Sequence, residues 1–199
     1  MRELWVEKYR PTSINEYVFR DDKQRNQVSN WVKSGAIPHL LFSGGAGTGK
    51  TTLAKVLLNE LDVDAGDIMI INASNENHVD TMRTKIQGFA SSFPCSGEFK
   101  YVLLDEADYL SPNAQAILRN MMETYSQTCR FILTCNYPNK VLPAIHSRCQ
   151  GYHIEKLDQT EFTVRVATIL LTEETEFVPE DLDVYVKSTY PDLRKCINM

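Results

Sequence analysis

The sequence is short of everything that would mark a membrane-spanning, disulfide-built or zinc-cluster protein. No apolar run approaches the ~20 residues needed to cross a bilayer, and Met1-Arg2-Glu3-Leu4-Trp5 has no apolar signal segment. The five cysteines (Cys95, Cys129, Cys135, Cys149, Cys196) form no C-x-x-C pair and are odd in number. That argues against a zinc site and a disulfide framework, and for free thiols in a reducing compartment. The net charge of −5 offers no global attraction to nucleic acid, so any contact with a phosphate backbone needs a local basic face. Internal repeats and low-complexity tracts are absent. The expectation is a soluble intracellular protein with ample core.

Glycine is also scarce, but it is not evenly spread. Four of the nine glycines fall at Gly44, Gly45, Gly47 and Gly49, within Phe42-Ser43-Gly44-Gly45-Ala46-Gly47-Thr48-Gly49-Lys50-Thr51-Thr52. The apolar run Leu40-Leu41-Phe42 precedes this stretch and the helix-like Leu53 to Leu58 follows it. Strand, glycine loop and helix therefore come in the order a phosphate cradle requires, and every position of G-x-x-x-x-G-K-[ST] is filled. Backbone N–H groups can turn inward around phosphate oxygens where no Cβ intervenes, and the helix N-terminus adds partial positive charge. Lys50 is placed to reach the β and γ phosphates and the Thr51 hydroxyl to meet the accompanying magnesium.

Along the chain, Leu4 to Pro11 mixes aromatics and charges without a period, and Pro11 biases Arg10 toward an extended conformation. The stretch reads as a nonhelical arm. Helices are expected over Asp21 to Lys33, Val79 to Phe93, Asn139 to Ile145 and, behind the Ser111 cap and Pro112, over Ala114 to Tyr125. Strands are expected over Ile37 to Phe42, Ile68 to Ile71, Tyr101 to Leu104 and Arg130 to Thr134, with a turn over Asn72 to Asn77. The apolar run Ile68 to Ile71 suits a strand buried on both faces. The alternation predicts an α/β fold, a parallel sheet with helices on both faces. From about Leu157 no strand pattern remains. Helices over Glu161 to Leu171 and Asp181 to Ser188, and one entered at Pro191-Asp192-Leu193-Arg194, divide the chain into a core over 1–156 and a small helical part over 157–199.

Phosphoanhydride chemistry needs a metal, a base to orient water, and positive charge where negative charge accumulates. Asp105 and Glu106, at the carboxyl end of a strand, fit the first two needs: Asp105 as a magnesium ligand, Glu106 as the base. Asn136 ends the next strand, where a carboxamide beside Glu106 can bond the γ-phosphate or the water, or can simply be a loop residue ahead of Pro138. Arg148, in Ser147-Arg148-Cys149, and Arg194 each read either as a solvated charge or as a cation presented to a phosphate.

Taken together these motifs resemble the AAA+ clamp-loader family, the replication factor C small subunits and their T-even-like bacteriophage counterparts, from Trp5 to about Lys195. The resemblance implies a P-loop NTPase core followed by part of a helical lid, with the family's further lid and collar beyond Met199 missing, as in a truncation or one piece of a split gene. W-V-E-K-Y-R-P at Trp5 to Pro11 is similar to the arm that wraps adenine, which implies a base pocket of Val6, Glu7, Lys8, Tyr9 and Val18. Phosphate contacts would come from Gly45, Ala46, Gly47, Thr48, Gly49, Lys50, Thr51 and Thr52, with Thr51 and Asp105 holding magnesium. Asp105 to Asp108 resembles Walker B, Asn136 sensor 1, Ser147 to Cys149 the motif carrying an arginine finger in trans, and Arg194 sensor 2. Asn72-Ala73-Ser74-Asn75 departs from the usual N-A-S-D at its last residue. The implied cofactors are ATP and magnesium. The implied partners are a sliding clamp, primer-template DNA met by Arg83, Lys85 and Arg119, and other loader subunits in a hetero-oligomer, a pentamer in relatives. The implied place is the cytoplasm, that of the host if the protein is viral.

Two other functions share this core: a helicase-type motor for Holliday-junction branch migration, and an ATP-binding structural subunit that does not hydrolyse. The arm and Ser147-Arg148-Cys149 favour the loader over the first; intact Lys50, Asp105, Glu106 and Asn136 argue against the second. Asp-Glu-Ala-Asp also occurs in RNA helicases of that name, but 199 residues hold neither their remaining motifs nor a second motor domain.

Overall fold

The computed structural model describes residues 4–75 and 79–199. Glu76 and Asn77 of the expected turn, and Met1 to Glu3 of the start, lie outside them. Five strands, β1 (Leu40–Ser43), β2 (Ile68–Asn72), β3 (Lys100–Asp105), β4 (Cys129–Cys135) and β5 (Gln150–His153), form one sheet in the order β2-β3-β4-β1-β5, and every pairing is parallel. The helices are α1 (Trp5–Lys8), α2 (Asp22–Ser34), α3 (Lys50–Glu60), α4 (Val79–Ala90), α5 (Pro112–Thr124), α6 (Pro143–His146), α7 (Gln159–Thr172), α8 (Pro179–Thr189) and α9 (Leu193–Ile197).

Alternation along the strands divides the apolar residues between two cores. Leu40, Phe42, Leu103 and Ile132 face α2 and α3, meeting Val28, Trp31, Leu53 and Leu57. Leu41, Val102, Leu104, Phe131 and Leu133 face α4 and α5, meeting Ile86, Leu118 and Met122. A helix layer on each side is what continuous apolar runs in a parallel sheet demand. Caps fall where the sequence puts them: Asp21 accepts from Gln24 N, and Ser111, ahead of Pro112, accepts from Ala114 N. Helices α7–α9 surround a third cluster of Phe162, Val166, Leu182, Val186 and Cys196, all drawn from beyond residue 156.

Four details depart from the expectations. Trp5–Lys8 is a single helical turn, because Glu7 and Lys8 N both bond the Leu4 carbonyl. Strand β2 is an edge, and Ile70 is 53% exposed rather than covered on both faces. The helix expected over Asn139 to Ile145 is two pieces, a 3-10 turn over Pro138–Lys140 and then α6 restarted at Pro143. Strand β5 was not anticipated at all; it carries one inward residue, Tyr152, in an otherwise exposed tetrapeptide.

His39, just before β1, ties the entry of that strand to β4: its Nδ1 accepts from Phe131 N at 3.1 Å and its ring meets Phe131 edge-on. Burial, with the nearby Arg130 charge, pulls its pKa down to about 4. A base whose folded pKa lies below its unfolded value stabilises fully above the unfolded value, and that contribution fades as pH falls toward the folded one. Thermal melts should therefore show stability falling from about pH 6.5 toward pH 4, and His39→Gln should flatten the upper part of that fall, above the range in which ordinary carboxylates titrate.

Candidate nucleotide site

The registers bring the functional residues to one edge. Ser43 pairs with Cys135, so Gly44 and Asn136 leave the sheet side by side; Leu104 pairs with Leu133, so Asp105 lies level with Thr134. The glycine loop then runs to Gly49, the left-handed residue that precedes α3. Two glycines are required by their surroundings. A Cβ on Gly44 would stand 2.3 Å from the Ile154 carbonyl oxygen, and one on Gly47 (φ +74°) would stand 2.4 Å from Asp192 Oδ1, so core and α9 close directly on the loop.

Lys50 is buried and donates to Gly44 O at 3.0 Å, Gly45 O at 2.7 Å and Asn136 Oδ1 at 2.8 Å. Burial lowers its pKa, against the opposing influence of Cys135, Asp105 and Asp108. Thr51 Oγ1 donates to Asp105 Oδ1 at 2.7 Å, and Thr134 Oγ1 donates to the same oxygen at 2.5 Å while accepting from Glu106 N at 3.0 Å. Glu106 sits in the left-handed region (φ 58°, ψ 44°), an uncommon conformation for a residue with a Cβ and one that recurs at functional sites. Asp108 is buried; its Oδ2 accepts from Tyr137 N at 3.1 Å, and its Oδ1 has no partner among the described residues.

These groups line one polar cavity. Ala46, Lys50, Thr51 and Thr52 form one side, Asp105, Glu106 and Asn136 another, and Arg194 of α9 reaches it from the helical part. Asn136 meets Lys50 directly, and shares only the cavity with Glu106. A second, more apolar cavity adjoins it through Gly47, Gly49, Thr52 and Arg194; Thr48 lines it, as do Val6, Tyr9 and Val18 of the five residues named for a base pocket. Glu7 and Lys8 do not: Glu7 pairs with Arg10 at 2.7 Å, and Lys8 with Glu173 at 2.6 Å, both toward solvent.

Gly45 gives its carbonyl to Lys50. The donor set fits a hard cation whose remaining ligands come from phosphate and water, since a hydroxyl and a carboxylate lie together at Thr51 and Asp105. No cluster of three or more His, Cys, Asp or Glu able to cage a metal occurs among the described residues.

Four predicted residues lie elsewhere. Arg148 is outside both cavities, its Nε bonded to Glu123 of α5 at 2.8 Å and its Nη1 to the Ala144 carbonyl at 2.6 Å. Arg83 and Lys85 are exposed on α4, which packs beside α5. Arg119, on α5, donates to Asn120 Oδ1 at 2.8 Å. Sequence pattern alone does not single out Thr134, whose contacts depend on strand register, or Arg165 and Pro191, which line the second cavity from the helical part.

A parallel sheet whose first strand runs through a glycine loop into a helix, with lysine, threonine and strand-end acid converging at that loop, defines a P-loop nucleotide-binding domain. Residues 40–157 match the ATPase family associated with various cellular activities (AAA), and the chain belongs to that family. It is 42% identical over 198 residues to the replication factor C small subunit of Methanoregula boonei and to that of Methanoculleus marisnigri, covering 98% of this chain and 61% of each relative. The Methanococcus maripaludis protein of the same description is 38% identical, over 100% of this chain and 64% of its own length. The chain thus spans a little over three-fifths of these relatives. In fold it is similar to the Holliday junction branch migration motor RuvB of Thermotoga maritima, with a TM-score of 0.77 at 17% identity, over 95% of this chain and 63% of that one. Among the described residues no helix is long and apolar enough to cross a membrane.

Removing the Thr134 hydroxyl takes one donor from Asp105 and the acceptor from Glu106 N while leaving the loop untouched. Thr134→Val should lower ATP turnover about tenfold or more with nucleotide affinity changed less than threefold, as read by steady-state kinetics beside equilibrium binding.

Proposed function

We propose that the chain is the ATP-driven part of a sliding-clamp loader subunit, with residues 1–156 as the nucleotide-binding core and 157–199 as part of the lid. The observation that carries the proposal is the convergence of Lys50, Thr51, Asp105, Glu106, Asn136 and Arg194 on one cavity, in a chain 42% identical to replication factor C small subunits. The polar cavity takes the triphosphate and the adjoining apolar one the adenine, between Val6, Tyr9 and Val18.

Lys50 and the N–H groups of the loop hold the β and γ phosphates, and Arg194 approaches the γ-phosphate from the lid. Thr51 and Asp105 would hold magnesium, which would supply positive charge against that building on the phosphate oxygens. Glu106 orients the attacking water and accepts its proton, and Asn136, tied to Lys50, holds the water or the γ-phosphate in place. Arg148, outside its own site, serves the site of a neighbouring subunit in a hetero-oligomer. The neighbouring α4 and α5 turn Arg83, Lys85 and Arg119 toward the backbone of primer-template DNA, contacts that position the duplex without reading its sequence. ATP binding then closes the subunits on clamp and DNA, and hydrolysis lets the clamp go. The likeness to a branch-migration motor rests on fold at 17% identity, and the loader reading on sequence at 42%.

Two substitutions separate binding from chemistry. Lys50→Ala should abolish or greatly weaken ATP binding in a folded protein, whereas Glu106→Gln should bind ATP normally and turn it over ~10²-fold or more slowly. Unchanged affinity in the first, or unchanged turnover in the second, sinks the corresponding assignment.

The trans role of Arg148 has its own test, because fingers of this kind are worth about 10³ to 10⁵ in rate. Arg148→Ala should bind ATP normally yet fail to support turnover in the assembled loader with clamp and primed DNA. Mixing it with Glu106→Gln should recover activity at interfaces that pair an intact Arg148 with an intact Glu106. Equal turnover by the dilute monomer and the assembly, unaffected by Arg148→Ala, would make Arg148 a surface charge.

A further inference from the structure

The arm that supplies Tyr9 to the base cavity is not held by the core alone. Tyr9 O accepts from Arg165 Nη2 at 2.9 Å, and the Tyr9 hydroxyl donates to Glu173 Oε1 at 2.7 Å. Lys8 Nζ reaches the same carboxylate oxygen at 2.6 Å. Arg165 lies within α7 and Glu173 is the residue that ends it, so both ends of one tyrosine are tied to one lid helix. Glu173 also raises the pKa of the Tyr9 hydroxyl and of the Lys8 ammonium, as a carboxylate bonded to both must. The ring between these two anchors lines the base cavity, whose remaining walls include Val18 from the core and Leu193 from α9.

Glu7 and Arg10 complete the arm differently, pairing with each other and leaving the lid contacts to Lys8 and Tyr9. The division matters because a base-pocket wall is useful only if its position is set before the base arrives. Tyr9 belongs to a segment with a single turn of helix, too short to hold its own orientation, so its placement depends on what it is bonded to.

Building on the assignment of this cavity to the adenine of ATP, we propose that Glu173 is a positioning residue for base recognition: with Arg165, which itself lines the cavity, it fastens Tyr9 to the lid, so that arm and lid form one wall of the base pocket. Neither residue touches the phosphate cavity. Their contribution therefore appears in the affinity for a nucleotide and is missing from the affinity for phosphate alone.

The test is calorimetric titration of the whole chain, with magnesium, by ATP and separately by inorganic tripolyphosphate, which occupies the loop without a base. Glu173→Ala should weaken ATP about tenfold and leave tripolyphosphate within twofold of wild type, and Glu173→Gln, which keeps an acceptor for the hydroxyl, should recover most of the loss. Tyr9→Phe removes the same hydrogen bond from the other side. Combined with Glu173→Ala it should cost little more than Glu173→Ala alone. Arg165→Met, which removes both the bond to the Tyr9 carbonyl and a charge from the cavity wall, should weaken ATP at least as much and again leave tripolyphosphate within twofold. Unchanged ATP affinity in Glu173→Ala and Arg165→Met, or a parallel loss of ATP and tripolyphosphate, would overturn the proposal. A wild-type chain that binds tripolyphosphate but gains nothing from the base overturns it as well. Failure to bind either ligand instead removes the nucleotide assignment on which the proposal rests.

Discussion

A buried ammonium group must find acceptors within the protein, and the site is arranged around how Lys50 does so. Its three N–H donors meet three acceptors: two carbonyls of its own loop and the carboxamide of Asn136, 86 positions along the chain. An unpaired charge at that depth would cost several kcal/mol. The loop must therefore fold back on the lysine, which calls for glycines, and β4 must end beside β1, which calls for the parallel order with β1 between β4 and β5. A phosphate entering the loop has to offer Lys50 acceptors at least as good as those it already has. Phosphate oxygens do so, because their bonds to an ammonium are charge-assisted.

Asp105 plays the complementary part for the acids. Its Oδ1 collects hydroxyls from Thr51 on α3 and Thr134 on β4, and Thr134 in turn fixes the backbone of Glu106 in its left-handed conformation. Groups from α3, β3 and β4 thus meet around one carboxylate and the backbone of the residue that follows it.

How far the sequence reached depended on the range of the interaction. The loop, the acids at the end of β3 and Asn136 at the end of β4 were legible because each is set by local pattern: glycine spacing, an apolar run, the residue that stops it. Strand β5 was not, because an edge strand with one buried side chain has no period to detect. The role of Thr134 was hidden for another reason. It follows from the register that sets Asp105 opposite it, and register is a property of two strands. Lys8 was expected against the base and instead faces Glu173, 165 positions away, a distance over which no periodicity carries information. The split of the Asn139 to Ile145 helix traces to Pro143, which restarts a helix at its first position.

The hydrophobic residues of α7–α9 form a cluster that shares no buried member with the two cores of the sheet. Its ties to the rest run through the arm, through Asp192 against Gly47 and through the cavities themselves. Such a segment can open without exposing β3 and β4, whose amides become accessible to solvent deuterium only when the sheet itself comes apart. Exchange in α7–α9 then reports the opening of that cluster, and exchange in β3 and β4 the opening of the sheet.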